Sequence, residues 1–300
     1  MSGWDNIREE IKVSGSTHDI IRRKYLKELH EITERNIIVY YSGWLQKPEL
    51  IKYGTIDDND KIGLMATIYK LDRSKGLDLI LHTPGGGTAA TESFVDYLRQ
   101  IFGSNMRAIV PQLAMSGGTM IACACKSIVM GKQSSLGPID PQLKGLAAHG
   151  VVEEFKTAYE EIKKDANKIP IWQPIIAKYD PTLIGECQKA ISWSEEMVKN
   201  WLLSGMLNGV HDADLKADKI IYELGHTTTK SHDRHLSASK CKEIGLTIEM
   251  MEDNQPLQDA ILKVHHTTML TFNETRAMKI IENHEGKAYV QQIQVSLVPK

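Results

Sequence analysis

Two glycine-rich turns constrain this chain more than any other feature. Each follows an apolar run of strand character and leads into a run of helical character. The first is Thr83-Pro84-Gly85-Gly86-Gly87, after Leu77–Leu81; the second is Ala114-Met115-Ser116-Gly117-Gly118, after Arg107–Pro111. A strand-to-helix turn aims backbone N–H groups at one point, because the first N–H groups of a helix have no partner within it. Glycine lets a second backbone or a ligand come close to that point. The second turn also carries a hydroxyl, Ser116. Two convergent N–H donors and one hydroxyl are the parts of an oxyanion hole and a nucleophile. A serine at a helix start is also an ordinary N-cap, and spacing alone leaves both readings open.

The segments around the turns alternate. Thr17–Thr33 reads as an amphipathic helix, with Ile20, Ile21, Tyr25, Leu26, Leu29 and Ile32 near helical spacing. Asn36–Tyr41 is a β-branched and aromatic run, hence a buried strand. Ser42–Asp57 reads as a loop and Asp58–Leu71 as a helix. Then come strand Leu77–Leu81, helix Thr88–Phe102 stopped by Gly103, strand Asn105–Pro111, helix Gly117–Cys125 and strand Ser127–Met130. Strands alternating with helices predict βαβ units and a mainly parallel sheet.

The texture changes after Leu143. Val151–Ala166 is a charged amphipathic helix, and Lys168–Asp180 is broken by Pro170 and Pro174. A long helix runs from Thr182 to Met206, with shorter ones over Asp212–Leu224 and Ser237–Ile244. Leu246–Met250 reads as a strand, Pro256–Phe272 as a helix and Lys287–Val295 as a terminal strand. No linker separates the halves. The expectation is one domain over residues 1–300, with an N-terminal helical segment (1–35) and a helix-rich subregion (151–300).

A chain of 300 residues, 42% hydrophobic and 25% charged, is ordinary globular material with room for a large core. A net charge of −2 gives no reason to expect nucleic acid or an acidic membrane surface as partner. No run reaches the ~18–20 apolar residues that span a bilayer, and no leader is evident, so a cytoplasmic protein is expected. Cys123, Cys125, Cys187 and Cys241 lack zinc-site spacing and read as small buried apolar residues.

Three segments together, LHTPGGG (Leu81–Gly87), IVPQLAMSGGTMIACA (Ile109–Ala124) and IVMGKQSSLGPIDPQL (Ile128–Leu143), resemble the Clp-protease/crotonase superfamily. The resemblance is nearest to the serine dehydrogenase proteinase family, which is related to signal peptide peptidase A. It covers the central quarter of the chain and runs on more weakly through Gln188–Ile191 and His232–Leu246. It implies a ClpP/crotonase-like α/β spiral of parallel βαβ units with a helix-rich C-terminal extension. It also implies a serine endopeptidase acting on peptides or unfolded protein, a homo-oligomer, and no cofactor or metal. Ser116 becomes the nucleophile, and the N–H groups of Gly86 and Gly117 become the oxyanion hole. Two other readings stay open: a catalytically silent scaffold that kept the fold, and a crotonase-like acyl-CoA enzyme using the N–H pair without Ser116.

The base is less evident. Clp proteases have a histidine about where Asp140 stands here, and an ordinary aspartate, with pKa ~4, takes protons poorly at neutral pH. The signal-peptide-peptidase relatives use a lysine, which serves if burial lowers its pKa. Lys189 is preferred, because Ile184, Cys187, Ala190 and Ile191 flank it and it matches the family's Lys-Ala helix. Lys168 has the spacing closer to that of bacterial signal peptide peptidase A, while Lys164 sits on a charged face. The competing reading of Lys189 is a surface lysine.

Other polar clusters point to structure. His82 reads as a satisfied histidine at a strand end. Adjacent His265 and His266 point to different faces of a helix, and His232 with His235 has no third ligand. Asp57-Asp58-Asn59-Asp60 lacks the glycine and distal glutamate of a calcium loop and reads as a helix N-cap cluster.

Overall fold

The computed structural model describes residues 18–227 and 234–293. Helix α1 (His18–Thr33) leads into β1 (Asn36–Ser42), a short 3-10 turn over Pro48–Tyr53, α2 (Asp60–Ile68) and β2 (Leu77–His82). Next come α3 (Thr88–Phe102), β3 (Met106–Val110), β4 (Leu113–Ala114), α4 (Gly117–Cys123), β5 (Ser127–Met130) and β6 (Ser135–Leu136). A small hairpin, β7 (Gln142–Leu143) and β8 (Leu146–Ala147), opens α5 (Ala148–Lys164). The helical region continues through α6 (Ile169–Ile176), α7 (Leu183–Ser204) and α8 (Ala213–Tyr222). The chain closes with β9 (Leu236–Ser237), α9 (Ala238–Ile244), β10 (Ile248–Met250), α10 (Gln255–Glu274), β11 (Ala277–Asn283) and β12 (Ala288–Gln292).

The main sheet has seven strands in the order β10-β5-β3-β2-β1-β11-β12. The five from β10 to β1 are parallel, and β11 and β12 extend that sheet antiparallel. Strand alternation divides the core. Ile38 and Tyr40 of β1 join Leu77, Leu79 and Leu81 of β2 on the face covered by α2, α3, α4 and α7–α9. Ile37, Val39 and Tyr41 join Ile80 and Ile109 on the other face, under α1 and α10. A mainly parallel sheet needs both faces covered, and these two helical layers supply that. The chain thus has the mixed α/β fold with a largely parallel sheet expected of the ClpP/crotonase type.

Local expectations fail where charge is buried. Ile20 and Ile32 of α1 are exposed, whereas Arg22 is completely buried. Its guanidinium meets the buried Glu282 of β11 at 2.5 Å and also donates to Thr271 and Asp19. Asp78, buried near the start of β2, is held by Arg35 and Arg107, each at 2.6 Å. The segment around Pro170 and Pro174 forms α6, with Pro170 in its first turn and Pro174 inside it. All four cysteines are buried and free, and burial pushes the Cys125 and Cys241 thiols up to about 12. His232 lies outside the described residues, and His235 is exposed.

His82 is fully buried at the end of β2, with its ring tilted against Trp44 (centroids 4.3 Å apart) and edge-on to His265 at 5.6 Å. Neither of its ring nitrogens makes a hydrogen bond of full geometry among the described residues, although the Leu113 backbone interacts with the ring. Burial first, then the neighbouring His265, holds His82 well below the ordinary histidine range. Burial pushes His265 down to about 3. In the unfolded chain both titrate near ~6.5. The native state therefore resists protonation that the unfolded chain accepts. Their contribution to stability is complete above about pH 6.5 and lost as pH falls below it, at about 1.4 kcal/mol per pH unit for each histidine. Urea unfolding at pH 7.5, 6.5 and 5.5 should show this fall, and His265→Asn should make it shallower. An unchanged slope in His265→Asn would show that His265 titrates normally.

Candidate active site

The two glycine turns meet at the C-terminal ends of β2 and β4. They are joined there by a parallel bridge between Thr83 and Ala114, through Thr83 N–H to Leu113 O (3.2 Å) and Met115 N–H to Thr83 O (3.0 Å). Ser116 stands between β4 and α4 with φ +50° and ψ −115°, and its hydroxyl makes no capping bond to the helix that follows. That geometry decides against the N-cap reading. A non-glycine residue with positive φ costs about 1–3 kcal/mol and persists only where its surroundings enforce it. A sharp strand-to-helix turn of this kind presents its central side chain outward. Ser116 is partly exposed while the backbone of Gly117–Cys123 behind it is buried.

Gly85 enforces the approach. It has φ +93°, and a Cβ there would stand 2.6 Å from Ser116 Cβ, 2.7 Å from Met115 O and 2.9 Å from Gly117 N. A Cβ on Gly117 would stand 3.4 Å from Gly86 N, so the two turns are in direct contact. Neither the Gly86 N–H nor the Gly117 N–H has a hydrogen-bond partner among the described residues. The structure thus gathers Ser116, Gly86 and Gly117, with two unpaired N–H groups beside one uncommitted hydroxyl.

A third segment, read from sequence as loop, completes the turn. Ile56 lies alongside Gly86 in a parallel bridge. Its N–H donates to Gly85 O at 2.8 Å, and its carbonyl accepts from Gly87 N–H at 3.1 Å. A one-residue bridge leaves no periodicity in a sequence, so only the lone buried Ile56 within a polar stretch could have marked it.

The residues proposed for base chemistry are placed differently. Lys189 lies on α7 and is exposed, which corrects the expectation that its apolar neighbours bury it. The buried stripe of α7 runs through Leu183, Cys187, Ser194, Met197, Val198 and Trp201. Lys189 is two residues beyond Cys187, about 200° round the helix, and so points away from that stripe. It makes no hydrogen bond or ion pair among the described residues. Lys168 is half-buried and paired with Glu161 at 3.1 Å, and Lys164 is exposed. Asp140 is buried and accepts a hydrogen bond from His149 N–H at 3.2 Å in the first turn of α5, where a helix favours a carboxylate. The His149 ring stands beside it, with Nε2 4.0 Å from Asp140 Oδ1.

A model of the ClpP-like SDH-type serine proteinases matches residues 17–269. The chain belongs to that family. Two uncharacterized proteins of Methanocaldococcus jannaschii are each 31% identical to it. The matches run over 199 and 201 residues, 66% of this chain in both cases, and 60% and 61% of the relatives. The chain therefore spans about three fifths of the length of those relatives. Among solved structures, a mutant of the 1510-N membrane-bound stomatin-specific protease matches 69% of this chain and 80% of its own. That match has 18% identity and a TM-score of 0.42. Among the described residues, no helix is long and apolar enough to cross a membrane.

Proposed function

We propose that this SDH-type family member is a serine peptidase that cuts peptides or unfolded protein through an acyl-enzyme on Ser116. The observation that carries the reading is the strained Ser116 turn, with its uncapped hydroxyl beside the unpaired N–H groups of Gly86 and Gly117. Ser116 Oγ attacks the carbonyl carbon of the substrate as a base takes the hydroxyl proton. The negative charge that develops on the carbonyl oxygen falls between the two N–H groups, which are already oriented for it. When the intermediate collapses, the C–N bond breaks and the proton passes to the leaving amine. Water then attacks the ester, and the Ser116 hydroxyl is regenerated. None of these steps calls on a cofactor.

Lys189 is the proposed base. Lys189 is exposed in the single chain, so in this proposal a bound peptide or a second copy of the chain covers it when it acts. A homo-oligomer, acting in the cytoplasm, is accordingly part of the proposal. Hydrolysis of a quenched fluorescent peptide, and of a denatured labelled protein, tests it. Lys189→Ala should lose nearly all turnover, and Lys189→Arg should fail too, because guanidinium does not give up its proton. Lys168→Ala should stay within a few-fold of wild type, and Asp140→Asn should act only by loosening the start of α5. Near-normal turnover in Lys189→Ala would remove lysine from the role. The exposure of Lys189 is also what favours the second reading, a silent scaffold, which predicts no hydrolysis by wild type at all.

A further inference from the structure

Beneath the oxyanion turn lies a buried charged cluster that the chemistry above does not use. Lys279 of β11 is completely buried. Its ammonium donates to Asp60 Oδ1 at 2.6 Å, to Thr55 O at 2.8 Å and to Asp57 Oδ2 at 3.1 Å. The other oxygen of Asp60 accepts from the Tyr40 hydroxyl at 2.6 Å and from Asp57 N–H at 3.0 Å. Lys279 therefore grips the chain on both sides of one residue, Ile56, through the carbonyl before it and the side chain after it.

Ile56 is the residue that holds the oxyanion turn. Its N–H binds the carbonyl of Gly85, and a trans peptide unit directs its C=O and its N–H to opposite sides. With the Gly85 carbonyl tied back to Ile56, the N–H of the same peptide, that of Gly86, is turned away from Ile56. The Gly117 turn lies within contact of that nitrogen. Were the bond to Ile56 lost, this peptide could rotate and present a carbonyl where the oxyanion forms. The bond from Gly87 N–H to Ile56 O closes the other side of the clamp.

We propose that Lys279 and Asp60 are positioning residues for the peptidase reaction: through Thr55, Ile56 and Asp57 they fix the orientation of the Gly85–Gly86 peptide and so keep the Gly86 N–H in the oxyanion hole. This rests on the serine-peptidase reading and adds to it a part of the molecule that touches neither substrate nor Ser116. A buried Lys–Asp pair costs desolvation that apolar residues would avoid; here its place beside Ile56 gives it a use in catalysis.

A merely structural role and a positioning role differ in what they change. Loss of structure lowers the number of working sites, whereas a misdirected peptide lowers the rate at each site. The experiment is to titrate active sites with a fluorophosphonate probe and to measure kcat per titrated site, KM, and inhibition by a peptide boronate. The variants are Lys279→Met/Asp60→Asn, which removes both charges together, and Tyr40→Phe, which removes the hydroxyl that binds Asp60 and also reaches Thr83, and keeps the ion pair. For the double variant kcat per titrated site should fall ~10-fold or more with KM little changed, and the boronate should weaken in parallel. Tyr40→Phe should shift both quantities the same way by a smaller factor, which keeps the test available if the double variant does not fold. An unchanged kcat per titrated site in Tyr40→Phe and in any folded double variant, with only thermal stability reduced, overturns the proposal and leaves the peptidase reading standing. Wild type that neither labels nor hydrolyses overturns both.

Discussion

Gly86→Ala is expected to lose at least ~100-fold in kcat, the usual cost of removing one oxyanion donor, although the added methyl group carries no charge and removes no donor. The reason is space. A Cβ at residue 86 would lie 2.3 Å from both Ile56 N and Ile56 O and 2.7 Å from its Cα. Those atoms are backbone, held by the Lys279 cluster, and cannot step aside as a flexible side chain would. The turn must move instead, and with it the Gly86 N–H that lies beside the Gly117 turn. Overpacking of this kind costs about 1–3 kcal/mol, so the variant should still fold, with a lowered unfolding midpoint. Peptide hydrolysis and a thermal melt on the same preparation check both parts. Near wild-type kcat in Gly86→Ala would mean that the Gly86 N–H contributes nothing to the reaction.

Ser116→Ala has a larger effect on rate and a smaller one on structure. Removing the nucleophile of a serine peptidase lowers kcat by roughly 10⁴–10⁶-fold, with the residue left by binding and the oxyanion donors alone. The Ser116 hydroxyl caps nothing, so its loss leaves no helix end unsatisfied. Stability should stay within about 0.5 kcal/mol, as for a substitution away from core, caps and buried networks. Fluorescence-monitored binding of an uncleaved peptide should be retained. Hydrolysis by Ser116→Ala at more than one per cent of the wild-type rate would place the nucleophile elsewhere.

What the sequence made legible follows from how strongly each element depends on a local pattern. β1 is a run of apolar residues because both of its faces are covered, and a fully buried strand has no polar alternation to hide it. The two glycine turns were visible because close backbone approach leaves few residue types other than glycine. β11 was missed for the opposite reason. Its buried positions include Lys279, Glu282 and Asn283, which read as surface residues until Asp60, Arg22 and the Thr67 carbonyl are brought to them by distant parts of the chain. Asp60 misled in the same way, as a helix-cap residue by position and the partner of Lys279 in the fold. For Lys189, apolar neighbours in sequence suggested burial, but on a helix such neighbours fall on every face. Only the phase of the buried stripe shows which way the side chain points.

The most direct test of the account is to treat the wild-type chain with a fluorophosphonate probe, digest it, and map the adduct by mass spectrometry. The account predicts one modified peptide, containing Ala114-Met115-Ser116-Gly117, with the phosphonate on Ser116 and no labelling in Ser116→Ala. A folded wild-type chain that takes up no probe, or takes it up at another serine, would contradict it.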